Sequence, residues 1–397
     1  MAFLAFPASR PEGLDRLSQF LPRAGRAYEM GRNTDLSPEG VGAVSKLSPY
    51  LRYRTITEQE VVEKVLGQHD LRSAEKFVQE VLWRTYWKGW LEMRPSVWAR
   101  FLDERDRQRE VFPDQRAILA AETGQTGIEG FDDWARELVQ TGYIHNHARM
   151  WFASIWIFTL RLPWTLGADY FLRHLIDADA ASNTLSWRWV AGLQTVGKSY
   201  LATTENIARY TNGRFAPSGL AKEAIPLIEP PIAQPIQLRE PNLYDRMQPS
   251  MLLVTHEDMH PESLFSDPSA ITSIIVAADQ DLLWGENARR FSIAAANEAA
   301  SRAANHFQCD MRVIQRLDPH ALLNAAQSCG VRQIVTPYAP VGPVAERLAS
   351  ITPLLAQDGI LLTEQRRLWD SAFWPHAKKG FFQFKAIIPP VLREVMQ

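Results

Sequence analysis

A chain of 397 residues, 46% hydrophobic and 22% charged, has the length of about two globular domains, each able to bury a core. Its formal net charge of -2 excludes an overall basic character, so contact with nucleic acid needs a local basic face. Two cysteines, Cys309 and Cys329, exclude a disulfide framework and a four-cysteine zinc or iron–sulfur site, and read as buried small side chains.

The opening MAFLAFPASRPEG has a short apolar run but no basic leader, so it does not read as a signal peptide. No stretch reaches membrane-spanning length, and a cytoplasmic protein without a membrane partner is expected. Residues 1–225 read as helical. PEGLDRLSQFL carries apolar residues at helical period. TEQEVVEKVLG opens on a Thr cap with Glu three residues later and stops at Gly67. SAEKFVQEVLWRTYWKGWLEM predicts a long helix, PSVWARFLDERDRQREVF one with an exposed charged end, and FDDWARELVQTG one closed by Gly142. Ten of the 13 Trp fall before residue 190, a density that suits stacking or electron transfer as well as core filling.

The Pro-rich stretch 226–249 predicts an extended linker. Residues 250–397 change class. Short β-rich runs MLLVT (251–255), SIIVA (273–277), MRVIQ (311–315), QIVTP (333–337) and ILLT (360–363) alternate with helical segments. That alternation predicts an α/β, doubly wound sheet of about five parallel strands. The tail AKKGFFQFKAIIPPVLREVM is expected to pack back across the linker.

Chemistry concentrates between Gly142 and Trp189. Asn146, Arg149 and Met150 stand at i, i+3 and i+4 and share one helix face, as do Asn183 and Trp187 on a second helix. Asp177 and Asp179 stand where that second helix should begin. An arginine facing acids at a helix mouth is either a charge pair beside a ligand or a structural ion pair. EVLWRTYW is equally two-sided. Either its Trp83 and Trp87 fill a core beside solvated Glu80 and Arg84, or Trp83 is a stacking platform beside an acceptor. The Ser45-Lys46-Leu47-Ser48-Pro49 turn is either an anion site or a plain cap. Gly192 to Ser199 fits the phosphate-loop pattern letter for letter but follows a helical array, so it reads as a hinged loop with an exposed Lys198. The pairs His145/His147 and His256/His260 lack the acid and third ligand of a metal site, and polar packing is expected for both.

Taken in order, YEMGRN (28–33), SKLSPYLRYR (45–54), EVLWRTYW (80–87), TGYIHNHARM (141–150), the PW and GADYF pieces of 163–171, and DADAASNTLSWRW (177–189) resemble the all-α FAD-binding domain of the photolyase/cryptochrome family. The set is most like photolyases of cyclobutane pyrimidine dimers. The resemblance implies FAD in the helical core, with Tyr28, Ser45, Lys46, Leu47 and Ser48 on the diphosphate side. Arg149 and Asp177 would pair over the isoalloxazine, Asp179 would contact the cofactor, and Asn183 would face flavin N5. Glu80, Arg84 and Asn146 complete the implied cofactor set. Glu80, Trp83, Asn146, Met150 and Trp189 match the positions that touch a flipped dimer, and two stacks of about 1–3 kcal/mol each would offset its extrusion. For electron transfer, Trp187 fits the proximal tryptophan and Trp164 the middle one. The distal position falls near Val111 and Phe112, so another surface aromatic, such as Trp134 or Trp151, would have to serve.

The sequence departs from the family in several places. Val44 replaces a hydroxyl residue of the phosphate motif and His147 a basic residue. SYLATTEN lacks an arginine that the family often carries, for which Arg188, Lys198, Arg209 and Arg214 are the candidate substitutes. The α/β segment comes second where the family puts its antenna domain first, which implies a circular permutation. No antenna residue carries over, so a second chromophore stays open. The implied activity is light-driven repair of cyclobutane pyrimidine dimers in DNA by reduced FAD, without net redox change, by a monomer. The alternatives are a cryptochrome-like blue-light receptor and, more distantly, a P-loop NTPase.

Overall fold

The computed structural model describes residues 6–36, 42–242, 244–265 and 267–396; the first residues of the apolar opening lie outside them. The first half is helical: α1 (Arg10–Phe20), α2 (Arg26–Gly31), α3 (Ser48–Arg52), α4 (Glu58–Leu66), α5 (Leu71–Glu92), α6 (Ser96–Val111), α7 (Gln115–Glu122), α8 (Phe131–Thr141), α9 (Asn146–Ser154), α10 (Trp164–His174), α11 (Ala180–Val190) and α12 (Thr204–Tyr210). Side-chain caps fix many of these starts. Ser9, Thr57, Asp70, Asp114, Asp179 and Thr203 each accept a hydrogen bond from a free backbone N–H of the first turn. Gly142 ends α8 in the left-handed region at φ 70°, which a side chain would disfavour. Gly67 ends α4 at φ -71°, where any residue would serve. A single π turn, Ile155–Thr159, extends α9.

The linker forms no helix or strand among its described residues, yet it is tied down. Leu227 N–H donates to Ala191 O and Ile236 N–H to Met93 O. The Glu229 carboxylate accepts from Arg100, Trp164 and Arg188.

Beyond it, β1 (Ser250–Val254), β2 (Ile271–Ala277), β3 (Met311–Ile314), β4 (Gln333–Pro337) and β5 (Leu361–Gln365) form one parallel sheet in the order β3-β2-β1-β4-β5. Parallel neighbours need crossovers: α13 (Glu286–Phe307), α14 (Pro319–Ser328) and α15 (Pro343–Gln357) supply those after β2, β3 and β4, and β1 reaches β2 through the short 3-10 turns Pro261–Ser263 and Pro268–Ala270. The side-chain period of two divides the strands between two cores. Leu252, Val254, Ile274 and Val276 join α13 and the helical half, whereas Met251, Leu253, Ile275 and Ile334 face α14 and α15. One sheet face thus shares its core with the helical half.

Two expectations change here. The tail does not lie across the linker. It forms α17 (Phe381–Val395), which packs on the preceding α16 (Leu368–Phe373) and on α5 because Phe384, Ile388, Val391 and Leu392 recur on one buried face. The cysteines are not buried as expected: Cys329 is exposed at the end of α14, and Cys309 is partly buried just after α13. Among the described residues no helix is long and apolar enough to cross a membrane.

Candidate functional site

A cavity of about 550 Å³ opens between α2, the loop before α3, and helices α5, α9 and α11. That size lies within the range of cofactor and ligand sites. Helical periodicity supplies its walls. From α5 come Phe77, Glu80, Val81, Trp83, Arg84 and Trp87; from α9, Asn146, His147, Arg149, Met150 and Ala153; from α11, Ser182, Asn183, Ser186, Trp187, Trp189 and Val190. Tyr28, Arg32 and Asn33 close one end with Val44 to Ser48, and Asp177 and Tyr143 line the depth.

Nearly all the residues singled out in the sequence meet in this one space: Tyr28, Ser45, Lys46, Leu47, Ser48, Glu80, Trp83, Arg84, Asn146, Arg149, Met150, Asp177, Asn183, Trp187 and Trp189. Asn146 is exposed, and Trp83, Met150 and Trp189 are half-buried, whereas Asp177, Asn183 and Trp187 are buried. The wall is therefore graded from an aromatic, partly open mouth to a polar interior.

In that interior Arg149 Nη2 donates to Asp177 Oδ2 at 3.1 Å, and Arg149 Nε donates to Ile144 O at 3.1 Å. Burial alone would raise the Asp177 carboxyl; Arg149 and Arg84 outweigh it and hold it below the usual carboxylate range. Asn183 Nδ2 donates to Ala168 O at 2.9 Å, which fixes the amide in the wall. The Trp187 ring packs on Gly167 of α10, where a Cβ would lie 2.3 Å from it. At the mouth, Glu80 pairs with Arg32 at 3.2 Å. Burial nevertheless raises the Glu80 carboxyl, with Arg32 opposing. Tyr28 lies edge-on to Phe20 and Phe77, and burial, reinforced by Glu80, raises its phenol.

Four cations (Arg32, Lys46, Arg84 and Arg149) and two acids (Glu80 and Asp177) share the wall, a balance that favours an anionic ligand. Asp177 Oδ1, Ser182 Oγ and Trp187 Nε1 are buried there without a hydrogen-bond partner. Buried polar atoms rarely stay unpaired, so donors and an acceptor converge on a space that a polar ligand of cofactor size would satisfy.

Other residues fall outside the cavity or behave differently from expectation. Asp179 caps α11 through Ser182 N–H and faces Lys88 and Arg84 at 3.3 and 3.5 Å, with Arg52 at 3.8 Å. It lines a separate pocket of about 10 Å³ with Glu257 and so does not reach the cavity. Arg84 accordingly pairs with Asp179 rather than standing solvated beside Glu80. Trp164 is also elsewhere, against Phe101 at 5.7 Å, with its Nε1 donating to Glu229. Trp187 meets Phe171, Trp156 and Phe152 at 5.1, 6.2 and 6.4 Å, and no ring contact joins it to Trp164 among the described residues. Trp134 and Trp151 stack at 5.3 Å and are fully buried, so neither is a surface aromatic. Val111 is exposed and Phe112 packs against the core.

One face of Trp83 is covered by Phe381 at 3.6 Å and 10°, which leaves its other side and edge to the cavity. Trp189 is backed similarly by Tyr200 at 5.9 Å. Of the four substitute cations, Arg188 is buried on Glu229 and Arg214 pairs with Asp35, so only Lys198 and Arg209 present exposed side chains. Helix α3 has only five residues, so its dipole adds little to the Ser45–Ser48 turn. Gly192 to Ser199 follows α11 directly and forms turns before coil, without the strand a phosphate loop requires. Among the described residues no group of three or more His, Cys, Asp or Glu could hold a metal ion. Sequence reasoning did not single out Phe77, Tyr143, Ser182 and Ser186. The last two were findable, since they stand four apart on α11 like Asn183 and Trp187.

Residues 77–215 match the family model for the FAD binding domain of DNA photolyase. Among curated proteins, a deoxyribodipyrimidine photo-lyase of Streptomyces griseus is 37% identical over 169 residues, 42% of this chain and 35% of that protein. A class III photolyase from Agrobacterium tumefaciens aligns in structure at 28% identity over 51% of this chain and 43% of its own, with TM-score 0.44. A cryptochrome from Synechocystis aligns at 26% over 52% and 44%, with TM-score 0.46. The chain spans well under half the length of the curated relatives it matches.

Proposed function

We propose that this chain, whose residues 77–215 match the FAD binding domain of DNA photolyase, splits cyclobutane pyrimidine dimers in DNA with light, using reduced FAD bound in its helical half. One observation carries the proposal: Glu80, Trp83, Asn146, Met150 and Trp189 ring the mouth of the same cavity whose depth holds Arg149, Asp177 and Asn183.

When bound, reduced FAD supplies a photoexcitable electron donor, and the electron's return after ring splitting leaves no net redox change. The protein does the rest by holding and orienting. Lys46, Arg32 and the Ser45 and Ser48 hydroxyls would take the diphosphate side. The Arg149–Asp177 pair would stabilise negative charge on the ring system in a low-dielectric pocket, and Asn183 would hold the ring edge. The free side of Trp83 and the Trp189 indole would bracket an extruded pyrimidine pair, with Asn146 and Met150 setting its orientation. Glu80, held by Arg32 at 3.2 Å, would hydrogen-bond the dimer and stabilise its radical anion. Damaged DNA is thus the proposed partner and the cytoplasm the proposed location. The α/β half, following rather than preceding the helical half, is read as a permuted antenna-like domain.

A photoreceptor that uses the same flavin without repair is the second reading. It is favoured by Phe381, which takes one of the two Trp83 faces. Anaerobic reduction of the purified protein, followed by light and dark incubation with an oligonucleotide carrying one thymine dimer, separates the two. Light-only loss of the dimer, cut by about 100–1000-fold in Glu80→Ala, is expected for the lyase. A yellow protein that leaves both single-stranded and duplex substrates intact overturns the lyase and favours the photoreceptor, and a colourless one that takes up no FAD overturns the cofactor assignment.

A further inference from the structure

Phe381 opens α17, far outside the stretch that matches the photolyase domain, and yet it touches the cavity's own Trp83. That contact fixes where the preceding residues lie. Arg94 Nη2 donates to Lys378 O at 2.7 Å and Tyr86 O–H donates to Lys379 O at 2.8 Å. Both donors stand on or just after α5, the helix that carries Glu80 and Trp83 to the mouth. The backbone of 378–382 is thereby clamped along the outer side of α5, leading to the cavity rim.

What this segment shows to solvent has no structural use in the chain. Lys378 and Lys379 are exposed and make no ion pair among the described residues, unlike Lys385 further along α17, which pairs with Glu75 at 3.0 Å. Phe382 is 87% exposed, one residue from a ring that is stacked in place. Neighbouring lysines and an open aromatic ring, held on a rigid support, are the parts from which single-strand contacts are built: cations for phosphates and a π face for a base. A lone exposed Phe needs no explanation, but one clamped beside two unpaired lysines at the rim of a cavity does.

We propose that residues 378–382 form a polynucleotide-contact edge beside the cavity mouth, in which Lys378 and Lys379 take backbone phosphates and the Phe382 ring stacks on an exposed base. The occupant is the strand that carries, or faces, the base drawn into the cavity, so the inference rests on the lyase reading and gives it a DNA contact outside the photolyase-like segment. It also offsets the loss of Arg188 and Arg214 to internal pairs.

Binding of a labelled dimer-containing oligonucleotide and its undamaged twin, measured by anisotropy between about 50 and 200 mM salt, tests this. Lys378→Ala/Lys379→Ala should flatten the plot of log affinity against log salt by roughly 0.7–0.9 for each lysine. Phe382→Ala should weaken binding by about tenfold, and Phe382→Trp should restore it. Flavin content should match wild type in every variant, since none of these side chains lines the cavity. Wild-type binding with unchanged slope and affinity in the variants overturns the contact edge alone. A wild-type protein that takes up flavin but binds neither oligonucleotide overturns the repair reading and the edge with it.

Discussion

Replacing Arg54 by Met should loosen the seam between the two halves. Arg54 donates to Asp370 through both Nη atoms at 2.8 and 2.7 Å, donates to Glu58 from Nε at 3.2 Å, and lies 3.5 Å from Asp258. Its side chain is 4% exposed, and those of Asp258 and Asp370 are 1% exposed. Glu58 belongs to α4, Asp258 follows β1 and Asp370 sits on α16, so one guanidinium ties the helical half to both ends of the α/β half. Methionine keeps a Cβ at φ 47° and the apolar stem as far as the position of Nε, so the loss is that of the guanidinium, its charge and its hydrogen bonds. Three carboxylates would remain in a dry pocket, with Arg367 still on Asp258. Breaking a buried pair by removing one partner costs about 3–5 kcal/mol. If the whole chain melts as a unit, an unfolding entropy of about 0.8 kcal/mol/K turns that cost into a fall in Tm of about 4–6 °C. If the α/β half melts alone, its entropy of about 0.3 kcal/mol/K makes the fall about 10–16 °C. Because the sheet shares one core with the helices, a single transition with the smaller shift is expected by calorimetry. A shift worth under about 1 kcal/mol, the value of an exposed ion pair, would refute the buried weld.

Asp177→Asn removes the anionic partner of Arg149 and should lower apo-protein stability by about 1.5–3 kcal/mol in denaturant titrations, together with loss of flavin on gel filtration. Gly167→Ala pushes a methyl into the Trp187 ring and should cost about 1–3 kcal/mol, with an altered near-UV circular dichroism band as the check. Burial pushes the His256 imidazole down from 6.5 to about 4, so the unfolded chain takes up a proton first as pH falls and stability is lost between those values. That loss is about 3 kcal/mol; Tm plotted against pH should be flatter over this window in His256→Gln, and an unchanged slope removes the assignment.

Local pattern carried most of the fold. Thr57 and Asp179 announce helix starts through a hydroxyl or carboxylate that reaches its own first turn. The five strands follow from β-rich runs between helical ones, and the cavity wall follows from residues four apart. Partner choice was not legible. Arg84 has Glu80 one turn away but pairs with Asp179, because the buried acid at the head of α11 is desolvated and needs the cation more than a half-open glutamate does. Trp187 packs on Gly167 and against Trp156 and Phe171, partners that the spacing within α11 does not encode. The contact of Phe381 with Trp83 spans about three quarters of the chain, and no periodicity within either segment encodes it.

Asp177 and Asp179 stand two residues apart and divide the molecule's work between them. Asp177 turns into the cavity, whereas Asp179 caps α11 and enters the cation cluster of Arg52, Arg84 and Lys88. Arg52 and Lys88 also bind Glu257, just beyond the carboxyl end of β1. In an open sheet of this strand order, the crevice beside β1 and β4 is where a ligand would enter. Here the side chains of the helical half fill it and leave about 10 Å³. The N-terminus of α11, and with it Asn183 and Trp187, is therefore anchored through Asp179 to the sheet as well as to the neighbouring helices. The α/β half thus supports the geometry of the cavity, through contacts that depend on where β1, α5 and α11 meet in space.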